Sequence, residues 1–419
     1  MNRKLYIAPI LITALSAVTH ISFAQDRRLK RILPRPDTEY MIYKPRTDTV
    51  VPARDLIDVF NSVFHKKHPG VIKKDTITTK PTFSYIPAIG YTLETEFVVS
   101  LTGNVAFRTD SQARVSTITT NIGYSQNKQF TFPIESEIWT KNNSFDLVGD
   151  YRFYKYPQST FGLGSNSYIK NEDPMDYIYA RFHEVALKNI VGNLFIGAGY
   201  IIDYHGNISH KGPINGAPSD YTAYGPDGHT ISSGITAQIL YDSRDNSIYP
   251  SAGTYTSLQY RDNFVFMGST DNWRSVIIDL RKYFRFPASS TNVIAFWNYD
   301  WLTISGKPPY LDLPATGWDP YASTGRGYIQ GRFRGAQEVY GEAEYRFKLS
   351  ANGLFGGVVF GNAASFSAAP GTRLESIQPG YGAGLRIKLN KVSKTNIDID
   401  YGFGREGSRG LFVNVGELF

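Results

Sequence analysis

From Val339 onward the chain alternates strictly. Val339, Gly341, Ala343, Tyr345, Phe347 and Leu349 are apolar or small, whereas Glu342, Glu344, Arg346 and Lys348 between them are charged. Successive side chains of a strand point to opposite faces, so this segment predicts a strand with one greasy and one charged face. The pattern recurs. Phe145, Leu147, Gly149, Tyr151 and Phe153 oppose Asp146, Val148, Asp150 and Arg152; Tyr381, Ala383, Leu385, Ile387 and Leu389 oppose Arg386 and Lys388; Ile397, Ile399, Tyr401 and Phe403 oppose Asp398 and Asp400. Charges facing a dry core are costly. A hydrated lumen tolerates them, with lipid on the other side.

Read this way, strands are expected over 82–90, 94–107, 113–125, 129–139, 143–155, 176–188, 192–204, 230–243, 252–264, 272–284, 291–304, 336–349, 352–363, 379–389, 394–404 and 410–419. That is sixteen, the even number a single-chain bacterial barrel needs. The long connections, 156–175, 205–229, 305–335 and 364–378, all follow odd strands, while those after even strands (140–142, 189–191, 350–351) are mostly short. A barrel with extracellular loops on one rim and periplasmic turns on the other sorts its connections this way; a soluble sandwich has no reason to. The expected fold class is all-β, a 16-stranded antiparallel transmembrane β-barrel over 82–419 with a short periplasmic N-terminal extension.

The ends agree with export. Arg3 and Lys4 precede an apolar stretch from Ile7 to Val18, and Ser22 and Ala24 sit at the small-residue positions of a cleavage site, so 1–24 reads as a signal peptide. The stretch is shorter than the ~20 residues of a membrane anchor. Zero Cys excludes a lipoprotein anchor, disulfides and thiolate metal sites. No later run is long enough for a membrane helix, which leaves a soluble fold or a barrel. Residues 25–81 carry a basic cluster (Arg27, Arg28, Lys30, Arg31) and Pro34, Pro36, Pro45 and Pro52. One amphipathic helix is expected from Asp55 to Lys66 through Leu56, Val59, Phe60, Val63 and Phe64, in a periplasmic extension or linker with no core of its own.

Composition adds the high Tyr (29), Phe (26) and Gly (38) of a chain that is half lipid-facing and half lumen-facing, at only 42% hydrophobic residues. The net charge of +7 is weak grounds for acidic partners and none for nucleic acid. The last stretch, Leu411 to Phe419 with Gly416, ends in an aromatic, which resembles the C-terminal signal of bacterial outer-membrane barrels.

At 325–349 the chain resembles the Omp85 superfamily, the bacterial surface antigen (D15) barrels of the BamA and TamA type. The loop motif is Arg326-Gly327-Tyr328, and the strand motif runs from Ala343 to Phe347. Further matches are the turn Asp242-Ser-Arg244-Asp245 with Tyr249, Pro250 and Gly253, then Gly384-Leu-Arg386, Asp400 to Phe403, and Phe412 to Gly416. The resemblance implies that the loop between strands eleven and twelve folds into the lumen and that Arg326 meets Glu344 there. The alternative is a solvated Arg at a loop tip. The family's second acid aligns with Asn362, a neutral amide, and Gly325 replaces the usual β-branched residue, so the clamp is expected to be weakened. Residues 25–81 are too short and too Pro-interrupted for a POTRA docking domain.

No catalytic site is expected. Seven His occur without a His-Glu-x-x-His or a Gly-x-Ser-x-Gly motif. Asp203 and His205 read as loop polarity, Phe161 to Ser165 as a flexible glycine segment, and Asp242, Arg244 and Asp245 as a structural salt-bridge turn. The resemblance implies a monomeric outer-membrane barrel, without cofactor or metal, that inserts or translocates outer-membrane proteins through the seam between its first and last strands. Its partners would be lipid, client barrels and a separate periplasmic docking protein. The alternatives are a passive channel or structural barrel, and an enzyme with a polar cluster at its extracellular rim.

Overall fold

The computed structural model describes residues 52–63, 81–111, 113–225, 228–370, 373–391, 394–417 and 419. The signal segment and most of the extension lie outside the described residues. The alternating segments form β1 (Thr82–Thr92), β2 (Glu96–Phe107), β3 (Ser116–Ser125), β4 (Phe130–Trp139), β5 (Phe145–Lys155), β6 (Gln158–Thr160), β7 (Asp173–Val191), β8 (Leu194–His210) and β9 (His229–Asp242). They continue as β10 (Gly253–Asn263), β11 (Trp273–Arg285), β12 (Val293–Gly306), β13 (Gln337–Lys348), β14 (Phe355–Ser367), β15 (Gln378–Asn390), β16 (Thr395–Phe403) and β17 (Arg409–Val415). β6 resumes β5 after a two-residue break, and both pair with β7. The seventeen segments are therefore sixteen staves, each antiparallel to the next from β1–β2 to β16–β17. The barrel is nearly closed: β1 and β17 lie side by side, but no backbone ladder joins them among the described residues.

The long connections collect on one rim, called distal here, with 307–336 the longest. The opposite, proximal rim is where β1 starts and β17 ends. β7 (19 residues) passes the expected boundary at both ends, and β8 (17 residues) runs on past 204 to His210. At about 3.3 Å per residue they are roughly twice as long as a bilayer's apolar core is thick.

The two faces sort as the alternation dictates. Phe83, Tyr85 and Ile89 of β1 are more than 70% exposed on the outer surface, whereas Glu342, Glu344 and Arg346 of β13 are buried inside. Part of the interior is packed by the loop 307–336. Trp297, Tyr299 and Tyr340 from the wall pack with Tyr328 and Phe333 of the loop 307–336. Each such buried ring contributes about 1.5–3 kcal/mol.

At the proximal rim the helix α1 (Leu56–Val63) opens with a reciprocal cap. Asp58 N donates to Asp55 at 2.8 Å and Asp55 N to Asp58 at 3.2 Å. The helix leans on two turns: Arg54 N donates to Asn352 O, and Lys391 donates through its backbone to Asp55 and through its ammonium to Asp58, at 2.9 and 2.6 Å. It ends at Val63; Phe64 to Lys66, expected to extend it, lie outside the described residues.

Candidate functional site

The loop 307–336 turns back into the barrel. It is held as a narrow hairpin, with Thr316 N donating to Phe333 O and Gly331 N to Thr316 O at 2.9 and 2.8 Å. Asp319 fixes its tip by accepting from the backbone of Ser323 and Thr324. This delivers Arg326 to the lumen, where only 2% of it is exposed. Its guanidinium meets three carboxylates: Glu344 at 2.6 Å, Asp400 at 2.8 Å, and Glu342. The ring of Phe360 covers it 3.7 Å away. A buried cation needs such partners, because losing one of a buried pair typically costs about 3–5 kcal/mol.

The sequence reading expected a clamp weakened at Asn362, and the structure corrects this. Asn362 does not occupy an empty acid position; its Nδ2 donates to the backbone oxygen of Arg326 at 3.0 Å. The extra charge comes from Glu342, two residues before Glu344 on the same face, and from Asp400 on β16. Gly327 has φ +106°, and a Cβ there would lie 2.7 Å from the Phe403 oxygen. The backbone of the loop thus rests directly on β16, facing Gly402. Tyr328 completes the contact, its hydroxyl donating to Pro379 O at 2.6 Å and accepting from Arg405 N at 3.0 Å. Ser408 donates to Gly327 O at 2.8 Å. The turn 404–408 between β16 and β17 is therefore tied to the loop.

From Glu344 the charges continue toward the proximal rim. Arg346 pairs with Glu344 at 2.5 Å and Glu417 at 3.5 Å; Arg386 pairs with Asp400, Asp398 and Glu417. The sequence places Arg386 and Asp400 on charged strand faces and in family motifs, but pairs neither with Arg326 or Glu417. Their alternation was visible, but their convergence depends on the closure of the barrel.

Glu417 belongs to a tail that leaves the wall. The last strand was expected to reach Phe419, but β17 ends at Val415. Gly416, at φ +94°, turns the chain inward. Phe419 is then 4% exposed, its ring 5.1 Å from Trp297 and its backbone oxygen accepting from Arg346 at 2.9 Å. It lies among lumenal aromatics, not on the outer face.

Asp242, Arg244 and Asp245 form a separate proximal turn. Arg244 closes on Asp242 at 2.8 Å, while Asp245 accepts from the backbone of Ser251 and Ala252 and from the Ser251 hydroxyl. Asp203, at the end of the strand expected over 192–204, and His205, just beyond it, read as rim polarity from the sequence; both lie on β8 and face the lumen, because β8 runs on to His210. Asp203 gathers Tyr179, Arg181, His183 and Arg261 at 2.7–3.0 Å beside a cavity of about 210 Å³. Among the described residues no cluster of His, Asp and Glu is arranged to hold a metal.

The seam has unequal sides. β17 is tied at its distal end through Gly327, Tyr328 and Ser408, and beyond its proximal end through Glu417 and Phe419. Among the described residues β1 is paired with β2 alone. A Cβ on Gly410 would strike the Leu93 side chain and one on Gly90 would lie 3.8 Å from Val413 O, which sets the level at which the strands face each other.

No known protein-family profile matches the chain. No curated protein matches it in sequence. Among solved structures, it is similar to BamA from Haemophilus ducreyi lacking POTRA domains 1–3, with TM-score 0.53 and 14% identity over 80% of this chain and 70% of that one. It is also similar to CdiB from Acinetobacter baumannii (TM-score 0.51, 12% identity) and CdiB from Escherichia coli (TM-score 0.52, 9% identity), again over 80% of this chain. The chain spans about three fifths of either CdiB: 60% and 62% of their lengths. At these identities the likeness is one of fold: the sixteen-stave barrel is built as those of BamA and CdiB are.

Proposed function

We propose that this protein is an outer-membrane barrel of the Omp85 kind that inserts or translocates outer-membrane polypeptides through the seam between β1 and β17. The observation that carries this reading is the seam itself. Two adjacent edge strands lie together without a ladder, one anchored at both ends and the other paired on one side only. An unpaired strand edge is a template for another chain, whose main-chain hydrogen bonds give affinity without demanding one sequence. The fold shared with BamA and CdiB supports the reading, as does the charged lumen under an apolar outer face, the pattern of a barrel in a bilayer. In this account the lumenal clamp around Arg326 is mechanical and not catalytic. It keeps β16 and β17 in place while β1 yields.

A static channel or structural barrel would need a seam zipped along its length, and a channel would need a clear lumen. The inward loop and the buried tail favour the first reading. The test is reconstitution of the purified barrel in liposomes with an unfolded outer-membrane barrel as client and Arg326→Ala as control. Faster client folding that the substitution reduces supports the proposal. Steady ion conductance with no acceleration would sink it.

A further inference from the structure

β1 contains a proline in its middle. Its ladder to β2 runs from Thr82↔Ala106 to Thr92↔Glu96 with no register shift, and Pro87 sits opposite Leu101 within it. Proline has no N–H to give, so a ladder that passes through it unbroken must have the missing donor on the other edge. In an antiparallel pair, residues alternate between facing the partner and facing away. The backbone groups of Phe83, Tyr85, Ile89 and Tyr91 therefore share Pro87's direction, toward the seam, while Ser84, Ile86 and Ala88 bond to β2.

The opposite strand stops at the same level. With Val413 O beside Gly90, Val415 falls near Ala88 and the Gly416 turn near Pro87. The donor gap in β1 and the end of β17 coincide. Above that level β1 faces β17. Below it, Thr82 to Ile86 has no strand on its seam side among the described residues, and Phe83 and Tyr85 are 75% and 79% exposed on the outer face.

We propose that Pro87 is a register stop that divides the seam edge of β1. Thr82–Ile86 is the part that accepts an incoming chain, and pairing cannot propagate past Pro87 into the part that faces β17. The occupant follows from the site. A segment beside Phe83 and Tyr85 on an apolar outer surface must present apolar side chains at alternate positions, and it must be extended to meet their backbone groups. It is thus a short amphipathic strand of a second polypeptide. This rests on the seam reading above, but it concerns which amides are free, which can be measured without any insertion assay.

The test is residue-resolved amide exchange on the full chain in nanodiscs, with and without an eight-residue peptide of alternating apolar and polar residues. In the free protein, Phe83 and Tyr85 should exchange at least about tenfold faster than Ser84 and Ile86, which bond to β2. The peptide should protect Phe83 and Tyr85 and leave Ile89 and Tyr91 unchanged. In Pro87→Val, protection should extend to residues 87 and 89. Ser84 and Ile86 report in the same experiment whether β1 is still folded. Should Pro87→Val disturb the strand, the double variant Pro87→Ala/Ile89→Pro moves the stop two residues up, and protection should reach 87 and halt there. Slow exchange of Phe83 and Tyr85 before peptide is added would mean that residues 64–81 or a second copy already cover the edge, which overturns the proposal. So would a peptide that protects neither amide, or one that protects past residue 87 in the unsubstituted chain.

Discussion

Arg326 Nη1 donates to Asp400 at 2.8 Å, joining the inward loop to the stave that carries the last strand. This bond makes the loop more than a filler of the lumen, because it decides which side of the seam stays put. Removing the guanidinium leaves Glu342, Glu344 and Asp400 facing one another in a buried site. Arg326→Ala should therefore lower unfolding stability by about 3–5 kcal/mol and speed amide exchange in the 404–408 turn. Arg326→Lys should recover only part of this, since one ammonium cannot span three carboxylates as a planar fork does. Thermal unfolding in detergent would measure both.

Asn362 separates this clamp from the one the family pattern suggests. If the position merely lacked its acid, Asn362→Asp would strengthen the clamp. The structure predicts the reverse. The Nδ2 bond to the Arg326 oxygen would be lost, and a carboxylate would face a carbonyl oxygen, costing about 1–3 kcal/mol. An Asn362→Asp protein more stable than the parent would show that the assignment of its role is wrong.

Gly327 should tolerate nothing larger. Its φ of +106° disfavours side chains, and its approach to Phe403 O leaves no room for a Cβ. Gly327→Ala should release the loop from β16 and make the 321–335 hairpin newly sensitive to added protease, with the barrel staves still resistant.

Glu94, in the turn between β1 and β2, gives the seam hairpin a pH dependence. Burial pushes its carboxyl up to about 8, with the negative charge of Glu172 adding to the effect. Because the folded pKa lies above the unfolded one, the stabilising contribution of the protonated form is complete at pH below about 4.5. It is lost as pH rises toward 8. Amides at the hairpin tip should exchange progressively faster across that window after correction for intrinsic rates. Glu94→Gln should flatten the dependence and be the more stable protein at pH 9.

Much of the fold was legible because period two is a strong signal wherever one face meets an apolar surroundings and the other a polar lumen. β13, β15 and β16 could be read directly from the alternation of residues such as Glu342, Glu344, Asp398 and Asp400. The failures have physical causes. The strand expected over 192–204 stops short of His205, yet pairing with β7 carries β8 on to His210. The clamp was read as one pair because Asp400 lies 74 residues from Arg326 and meets it only when the barrel curls. The terminal strand was read too long because Gly416 allows either a continued strand or a turn. Pairing cannot decide between these from sequence; here the cations of Arg346 and Arg386 draw Glu417 inward.

If client chains pass at the seam, closing it must stop them. The chain has no Cys, so Ile89→Cys with Val413→Cys would place one reversible covalent bridge between β1 and β17. In the liposome assay, oxidising this pair should abolish acceleration of client folding, and a reductant should restore it. Acceleration that persists with the seam covalently closed would contradict passage there.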